Sequence, residues 1–174
     1  MSDTVVRLAT VEDAAAIARI HNEGIADRIA TFETAPRTTT QVAAALVEKG
    51  DRYPTVVVTR DGEVVAWASA GPYRNRPAYA GVAEHSVYVA RKARGSGAGR
   101  AALDGLCRAY AERGFWKIVS RIFPENTASL ALHERCGFRV VGVYRRHGRL
   151  GDEWRDCVIV ERLLGDGAAP SART

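Results

Sequence analysis

The stretch Val82-Ala83-Glu84-His85-Ser86-Val87-Tyr88-Val89-Ala90, followed by Arg91-Lys92-Ala93-Arg94-Gly95-Ser96-Gly97-Ala98-Gly99-Arg100, decides the fold of this chain. Its first part has the β-branched and apolar residues of a strand, and the residues beyond Arg100 continue as a helix to about Arg113. Glycines in the turn between them permit φ > 0 and let a ligand approach the backbone. The first amides of a helix lack an intrahelical acceptor, and the helix dipole is positive there. Strand, glycine turn and helix together make a site for pyrophosphate, although the same segment would also serve as a plain tight turn. A P-loop would need Gly-Lys-Ser/Thr at its end, and here Gly99 is followed by Arg100-Ala101. A dinucleotide fold would need G-x-G-x-x-G near a first strand. Here the spacing is G-x-G-x-G, past mid-chain.

Working outward, Val5–Ala9 is expected as a first strand. Thr10, with Asp13 three residues on, opens a helix through Ala14, Ile17, Ala18, Ile20 and His21, with Gly24 near its end. An irregular connection, Ala26–Pro36, leads to a second helix over Thr40–Gly50. Thr55–Thr59 and Val64–Gly71 form a hairpin through Asp61-Gly62. Pro72–Ala80 holds two prolines and is expected as a loop. After the glycine turn and its helix come a strand over Trp116–Phe123, a short helix over Asn126–Cys136 stopped by Gly137, and two strands. These last are Phe138–Arg146 and Glu153–Leu163, joined through Gly148–Asp152.

The chain has 174 residues, the size of one domain, with 47% hydrophobic and 26% charged residues. No apolar run is long enough to span a membrane, and the N-terminus lacks the basic-then-apolar pattern of a signal peptide. The formal net charge is +5, and of the 25 basic residues only Lys49, Lys92 and Lys117 are lysines. Arginine suits bidentate capture of oxyanions, so an anionic ligand is expected. Cys107, Cys136 and Cys157 are widely spaced, with no zinc pattern; a reduced, cytoplasmic chain without a metal is expected.

Arg94-x-x-Gly97-x-Gly99 resembles the acetyl-CoA pyrophosphate motif of the GNAT N-acetyltransferases. Asn126, Ser129, His133 and Gly137-Phe138 are similar to that superfamily's late motif. The resemblance implies an α/β GNAT fold: a mixed, mostly antiparallel central sheet of about seven strands flanked by about four helices. The domain would cover residues 1–164, with 165–174 a disordered tail. Ala30-Thr31-Phe32-Glu33-Thr34, Ala70-Gly71-Pro72-Tyr73-Arg74 and Glu84-His85-Ser86-Val87-Tyr88-Val89 resemble the phosphinothricin acetyltransferase branch. Gly24–Pro36, Phe115–Asn126 and Tyr144–Arg149 look most like arsinothricin N-acetyltransferases.

The resemblance implies transfer of acetyl from acetyl-CoA to the α-amine of an amino acid carrying a phosphinate-like, arsinate-like or sulfoximine side chain. The outcome would be detoxification, and the enzyme a homodimer. Glu84, an acid on an otherwise apolar strand, matches the general base, with a structural ion pair to an arginine as the alternative. His133 stands where many GNAT enzymes have a tyrosine that protonates the thiolate, and the phosphinothricin branch also has His there; proton donation, substrate binding, help in deprotonation and plain helix packing are its open roles. The residues from Arg94 to Arg100 (Gly95, Ser96, Gly97, Ala98 and Gly99 between them) would hold the pyrophosphate. Val87, Tyr88 and Val89 would run beside the pantetheine, with the Val89 amide as oxyanion donor. Asn126 and Ser129 would meet the same arm. Phe32, Tyr73 and Ser86 would wall the acceptor pocket. Arg74 and Arg76 share one face if their stretch is extended, and two guanidinium forks so placed suit a multi-oxygen anion.

Two other readings remain at this point: a second enzymatic one, acetylation of a protein N-terminus or another amine, and one of a different class, a non-catalytic acyl-CoA-binding module. A nucleic-acid partner is disfavoured, because no basic-aromatic stripe is present.

Overall fold

The computed structural model describes residues 3–168. Its strands are β1 (Thr4–Leu8), β2 (Thr55–Arg60), β3 (Glu63–Pro72), β4 (Val82–Val89), β5 (Lys117–Ile122), β6 (Arg139–Leu150) and β7 (Glu153–Leu163). Its helices are α1 (Ala14–Asp27), α2 (Thr39–Lys49), α3 (Ala98–Glu112) and α4 (Thr127–Arg135). The strands form one sheet in the order β1-β2-β3-β4-β5-β7-β6. Every pairing is antiparallel except β4 with β5. No helix among the described residues is long and apolar enough to cross a membrane.

The β-branched run of β2 is buried on both faces. Val57 pairs with Trp67 on the side covered by α1, where His21 packs against Trp67 and Tyr88. Val56 and Val58 pair with Ala68 and Ala66 on the side covered by α3. Small residues on β3 let α3 lie close, and the Tyr110 hydroxyl of α3 donates to the carbonyls of Pro54 and Ala70. Asp61 and Gly62 both have positive φ, 51° and 81°, as a two-residue hairpin of this twist requires.

Four boundaries differ from expectation, each for a stated reason. α1 passes Gly24 and ends at Asp27, followed by Arg28 at φ 57°. Gly24 is there for closeness: a Cβ would sit 2.8 Å from the Tyr88 ring. β6 continues to Leu150, with a register shift between Tyr144 and Gly148 where Arg146 has φ 47°. Gly148 faces Phe32, whose ring a Cβ would meet at 2.7 Å, and the turn falls at Gly151-Asp152. In the expected loop, Arg76 N–H donates to the Arg74 carbonyl at 2.9 Å, and Pro77–Tyr79 form a 3₁₀ turn. Arg74 and Arg76 therefore sit in a tight turn and not on one extended face. Beyond Leu164, Gly165–Ala168 also form a 3₁₀ turn, with Gly167 N–H on the Leu164 carbonyl at 2.9 Å. The rest of the expected tail lies outside the described residues.

The feature that positions the site is the short parallel contact. β4 and β5 pair only through Val82–Lys117, Ala83–Ile118 and Glu84–Val119. β5 then stays with β7 while β4 stays with β3, so a gap opens beyond Glu84.

Candidate active site

Backbone direction along β4 follows from its neighbours. Ala90 N–H donates to the Val65 carbonyl of β3 at 2.8 Å, and Tyr73 N–H reaches the Val82 carbonyl. Successive residues of a strand alternate. The odd-numbered residues of β4 therefore turn their N–H and C=O toward the gap. The Ser120 hydroxyl confirms it by donating to the His85 carbonyl at 3.0 Å. Val87 and the Val89 N–H present a free backbone edge there, and the Val89 carbonyl accepts from Arg94 Nε at 3.5 Å.

This edge borders a cleft of about 630 Å³. The glycine turn forms its rim: Gly95 and Gly97 have φ 75° and 86°, and a Cβ on either would meet nothing within 4 Å. The free space and the unpaired amides at the start of α3 fit a pyrophosphate. Arg94, Gly99 and Arg100 also line the cleft, whereas Ala98 is buried and the Ser96 hydroxyl turns back to the Ala93 carbonyl. Gly99 packs α3 against its neighbours, since a Cβ would lie 3.1 Å from Val89 and 3.2 Å from Leu132. Arg94 pairs with Asp27 at 2.6 Å, and Arg91 takes the same carboxylate at 2.7 Å. The Arg91 and Arg94 guanidiniums hold the Asp27 carboxyl below its usual range.

Across the gap, Asn126 caps α4, its Oδ1 accepting from Ser129 N–H at 3.2 Å. Its Nδ2 donates to the Ile29 carbonyl at 3.2 Å, and both Asn126 and Ser129 line the cleft. His133 lies deeper, buried and lining neither this cleft nor the next. Its Nδ1 is 2.7 Å from the Ser129 carbonyl, which can only accept, so the network assigns the ring proton to Nδ1. His133 Nε2 is then an acceptor, and it meets Nε2 of His85 at 2.9 Å. Burial lowers both histidines, His85 to about 3, so the pair is neutral. The remaining nitrogen, His85 Nδ1, is buried without a partner.

A second cleft of about 370 Å³ opens on the α1 and α2 side and shares Ala30 and Tyr88 with the first. On this face Trp67, Ser69 and Gly71 of β3 pair with Tyr88, Ser86 and Glu84 of β4. Trp67 stacks on Tyr88 at 4.8 Å between centroids, and burial pushes the Tyr88 hydroxyl up to about 12. Phe32 walls the cleft, its ring edge-on to Phe123 at 4.8 Å. Glu84 is bound by Arg121, Nε at 2.8 Å and Nη2 at 2.5 Å from one carboxylate oxygen. Glu33 pairs with His21 and Arg37. Lys49 donates to the Ser69 hydroxyl and, at 2.8 Å, to the Ala70 carbonyl; burial lowers its ammonium to about 8.

Glu84, Ser86 and Phe32 thus come together. Tyr73 and Arg74 do not join them: they line a third cleft, which shares only Glu84 and Arg121 with the second and where Arg74 lies over the Tyr73 ring at 5.1 Å. Arg76 lines none of these clefts. Sequence reasoning did not single out His85, Arg121, Trp67 or Lys49. Their places depend on which strand or helix lies beside which, and only His85, on an apolar strand next to Glu84, carries a local signal.

The chain belongs to the acetyltransferase (GNAT) family, whose model matches residues 17–138. Among curated relatives, it is 36% identical to a phosphinothricin N-acetyltransferase of Alcaligenes faecalis, over 93% of this chain and 83% of that one. It is 31% identical to an L-methionine sulfoximine/L-methionine sulfone acetyltransferase of Salmonella typhimurium, over 96% and 98%. Among solved structures, a phosphinothricin acetyltransferase from Sinorhizobium meliloti in complex with acetyl-CoA superposes with a TM-score of 0.88 at 32% identity, covering 96% of this chain and 91% of that one. The chain is an acetyl-CoA-dependent N-acetyltransferase.

Proposed function

We propose that this enzyme acetylates the α-amine of amino acids of the phosphinothricin, arsinothricin and methionine sulfoximine type, and so detoxifies them. The observation that carries this reading is the meeting of two clefts beside the free edge of β4. One, rimmed by glycines, encloses about 630 Å³ and runs from the glycine turn to the β4 edge and α4, as a nucleotide-bearing thiol requires. The other is small and walled, a volume for a single amino acid and not for a peptide. Bound in the first cleft, acetyl-CoA supplies the acetyl thioester.

The protein's groups divide the remaining work. Amides at the start of α3, with Arg100, hold the pyrophosphate. Val87 and Val89 pair with the pantetheine amides as an added strand would. Val89 N–H faces the side where carbonyl charge develops. Glu84 takes the amine proton, through a water, with the oxygen Arg121 leaves free. His133, neutral and backed by His85, keeps the wall of the gap in place and offers its proton-accepting Nε2 only to His85.

A homodimer is supported by the apolar residues exposed along edge strand β6, Val140, Val141, Val143 and Tyr144. Three free, buried thiols support a cytoplasmic setting. Thiol release from acetyl-CoA in the presence of phosphinothricin, arsinothricin or methionine sulfoximine tests the substrate class. Turnover with at least one is expected. Turnover with none of them, together with acetylation of a peptide N-terminus, overturns it.

A further inference from the structure

The charged residues lining the glycine-rimmed cleft are one acid, Asp27, and three arginines, Arg94, Arg100 and Arg135. Arg94 pairs with Asp27 and Arg100 with Asp104 at 3.5 Å, whereas Arg135 pairs with no carboxylate among the described residues. Arg135 is exposed on the last turn of α4, where a cation also suits the helix dipole. The dipole accounts for a cation at this end of the helix, but not for its place in the wall of the cleft.

Register places Arg135 along that wall. Asn126, Ser129, Leu132 and Arg135 all line the cleft, and residues three apart share one face of a helix. The row begins beside the second cleft: Asn126 N–H donates at 2.9 Å to the carbonyl of Phe123, which lines that cleft. Its third member lies at the glycine turn, since a Cβ on Gly99 would come within 3.2 Å of Leu132. Arg135 stands three residues further, about 4.5 Å along the helix axis. Coenzyme A is laid out in the same order. Thiol, pantetheine and pyrophosphate are followed, one ribose beyond, by a 3′-phosphate. With the thiol at the gap and the pyrophosphate at the glycine turn, the 3′-phosphate falls past Leu132. The amides at the start of α3 and Arg100 serve the pyrophosphate. The second anion needs a cation of its own, and a planar guanidinium matches phosphate oxygens with two parallel donors.

We infer that Arg135 receives the 3′-phosphate of coenzyme A, so that the enzyme distinguishes acetyl-CoA from the same thioester lacking that phosphate. This rests on the pyrophosphate lying at the glycine turn, as proposed above.

The test is calorimetric binding of CoA and of dephospho-CoA to the parent, to Arg135→Gln and to Gly97→Ala. The parent is expected to bind CoA roughly five- to tenfold more tightly than dephospho-CoA, the upper end for an exposed ion pair. That preference should narrow as salt is added, because exposed charges are screened. Arg135→Gln should weaken CoA to the level of dephospho-CoA and leave dephospho-CoA itself within about twofold of the parent. Gly97→Ala bears on the pyrophosphate, which both ligands carry, and should weaken both equally with the preference intact. A parent without the preference overturns the inference. So does an Arg135→Gln protein that keeps it, which leaves the guanidinium to the helix dipole, or one that loses both ligands equally, which assigns it to the pyrophosphate. If Gly97→Ala changes neither affinity, the placement of the pyrophosphate fails first and the inference with it.

Discussion

His85 and His133 face each other Nε2 to Nε2 at 2.9 Å, one on β4 and the other on α4, with both rings buried. The pair ties the two walls of the gap, and it is neutral. His21, buried against Trp67 and Tyr88, is lowered in the same direction by burial. A histidine with a lowered folded pKa binds its proton more readily when unfolded. Its stabilising effect is therefore complete above the unfolded value, about 6.5, and is lost as pH falls below it toward the folded value. For His85 that window runs down to about 3. The urea midpoint is expected to fall between pH 7 and pH 5, before the lowered carboxyls of Asp27 and Glu33 titrate. Each proton taken up on unfolding contributes a slope of about 1.4 kcal/mol per pH unit. His85→Asn should show a shallower slope than the parent, and a parent midpoint flat across this range contradicts the neutral pair.

Glu84 has two possible duties, and the Arg121 ion pair separates them. As a general base it should be worth roughly 10²–10⁴-fold in kcat. As a counter-ion it would matter only while Arg121 is present. Glu84→Gln is expected to lose kcat in that range with acetyl-CoA KM nearly constant, and Arg121→Gln to lose much less. The double variant should stay as slow as Glu84→Gln. Recovery of activity in the double variant would make the pair structural, because coupled residues deviate from additivity in that way.

Local chemistry accounts for what was legible in the sequence. The glycine turn, the Asn126 cap and the Asp61-Gly62 hairpin each depend on a few consecutive residues, and each falls where the sequence puts it. Gly24 and Gly148 look like a helix end and a turn. Their reason is instead a ring from elsewhere in the chain, Tyr88 for one and Phe32 for the other. The acceptor cleft is the least legible part. Lys49 reaches it because α2 lies over β3, and Arg121 because β5 runs beside β4, and no spacing along the chain encodes either fact. Arg74 and Arg76 show the reverse error. Their spacing suggests a shared face, and the turn closed by the Arg76 N–H removes it.

At Gly97 the open space and the φ of 86° make two contributions that can be measured apart. Gly97→Ala forces alanine into the left-handed region, at a cost of roughly 1–2 kcal/mol, and puts a methyl group into the open rim proposed to hold the pyrophosphate. Gly99→Ala meets Val89 and Leu132 and disturbs packing instead. Gly97→Ala is expected to raise acetyl-CoA KM by about tenfold or more, the worth of one backbone hydrogen bond to a charged group, with acceptor KM little changed. Gly99→Ala should lower thermal stability more than it raises that KM. Unaltered cofactor kinetics in a folded Gly97→Ala enzyme would remove the glycine turn from the pyrophosphate site.

The arginines of the Pro72–Ala80 segment give the last test, because they offer a competing route to anion recognition. Arg74 stacks on Tyr73 in the cleft reached past Glu84 and Arg121, and Arg76 lines none of the clefts. The Glu84–Arg121 pair lines both that cleft and the one walled by Phe32, and so stands between Arg74 and an anion held in the latter. Any attraction from Arg74 must then act at long range through solvent, where physiological salt screens charges over about 8 Å. Arg74→Ala and Arg76→Ala are therefore expected to raise the phosphinothricin KM by less than about threefold, a change under one decade of affinity, and the small effect should shrink further as salt is added. The measurement is the phosphinothricin KM of the two variants at low and at physiological ionic strength. A tenfold rise in either variant that persists in salt would show direct contact and put the anion's receptor in the segment before β4.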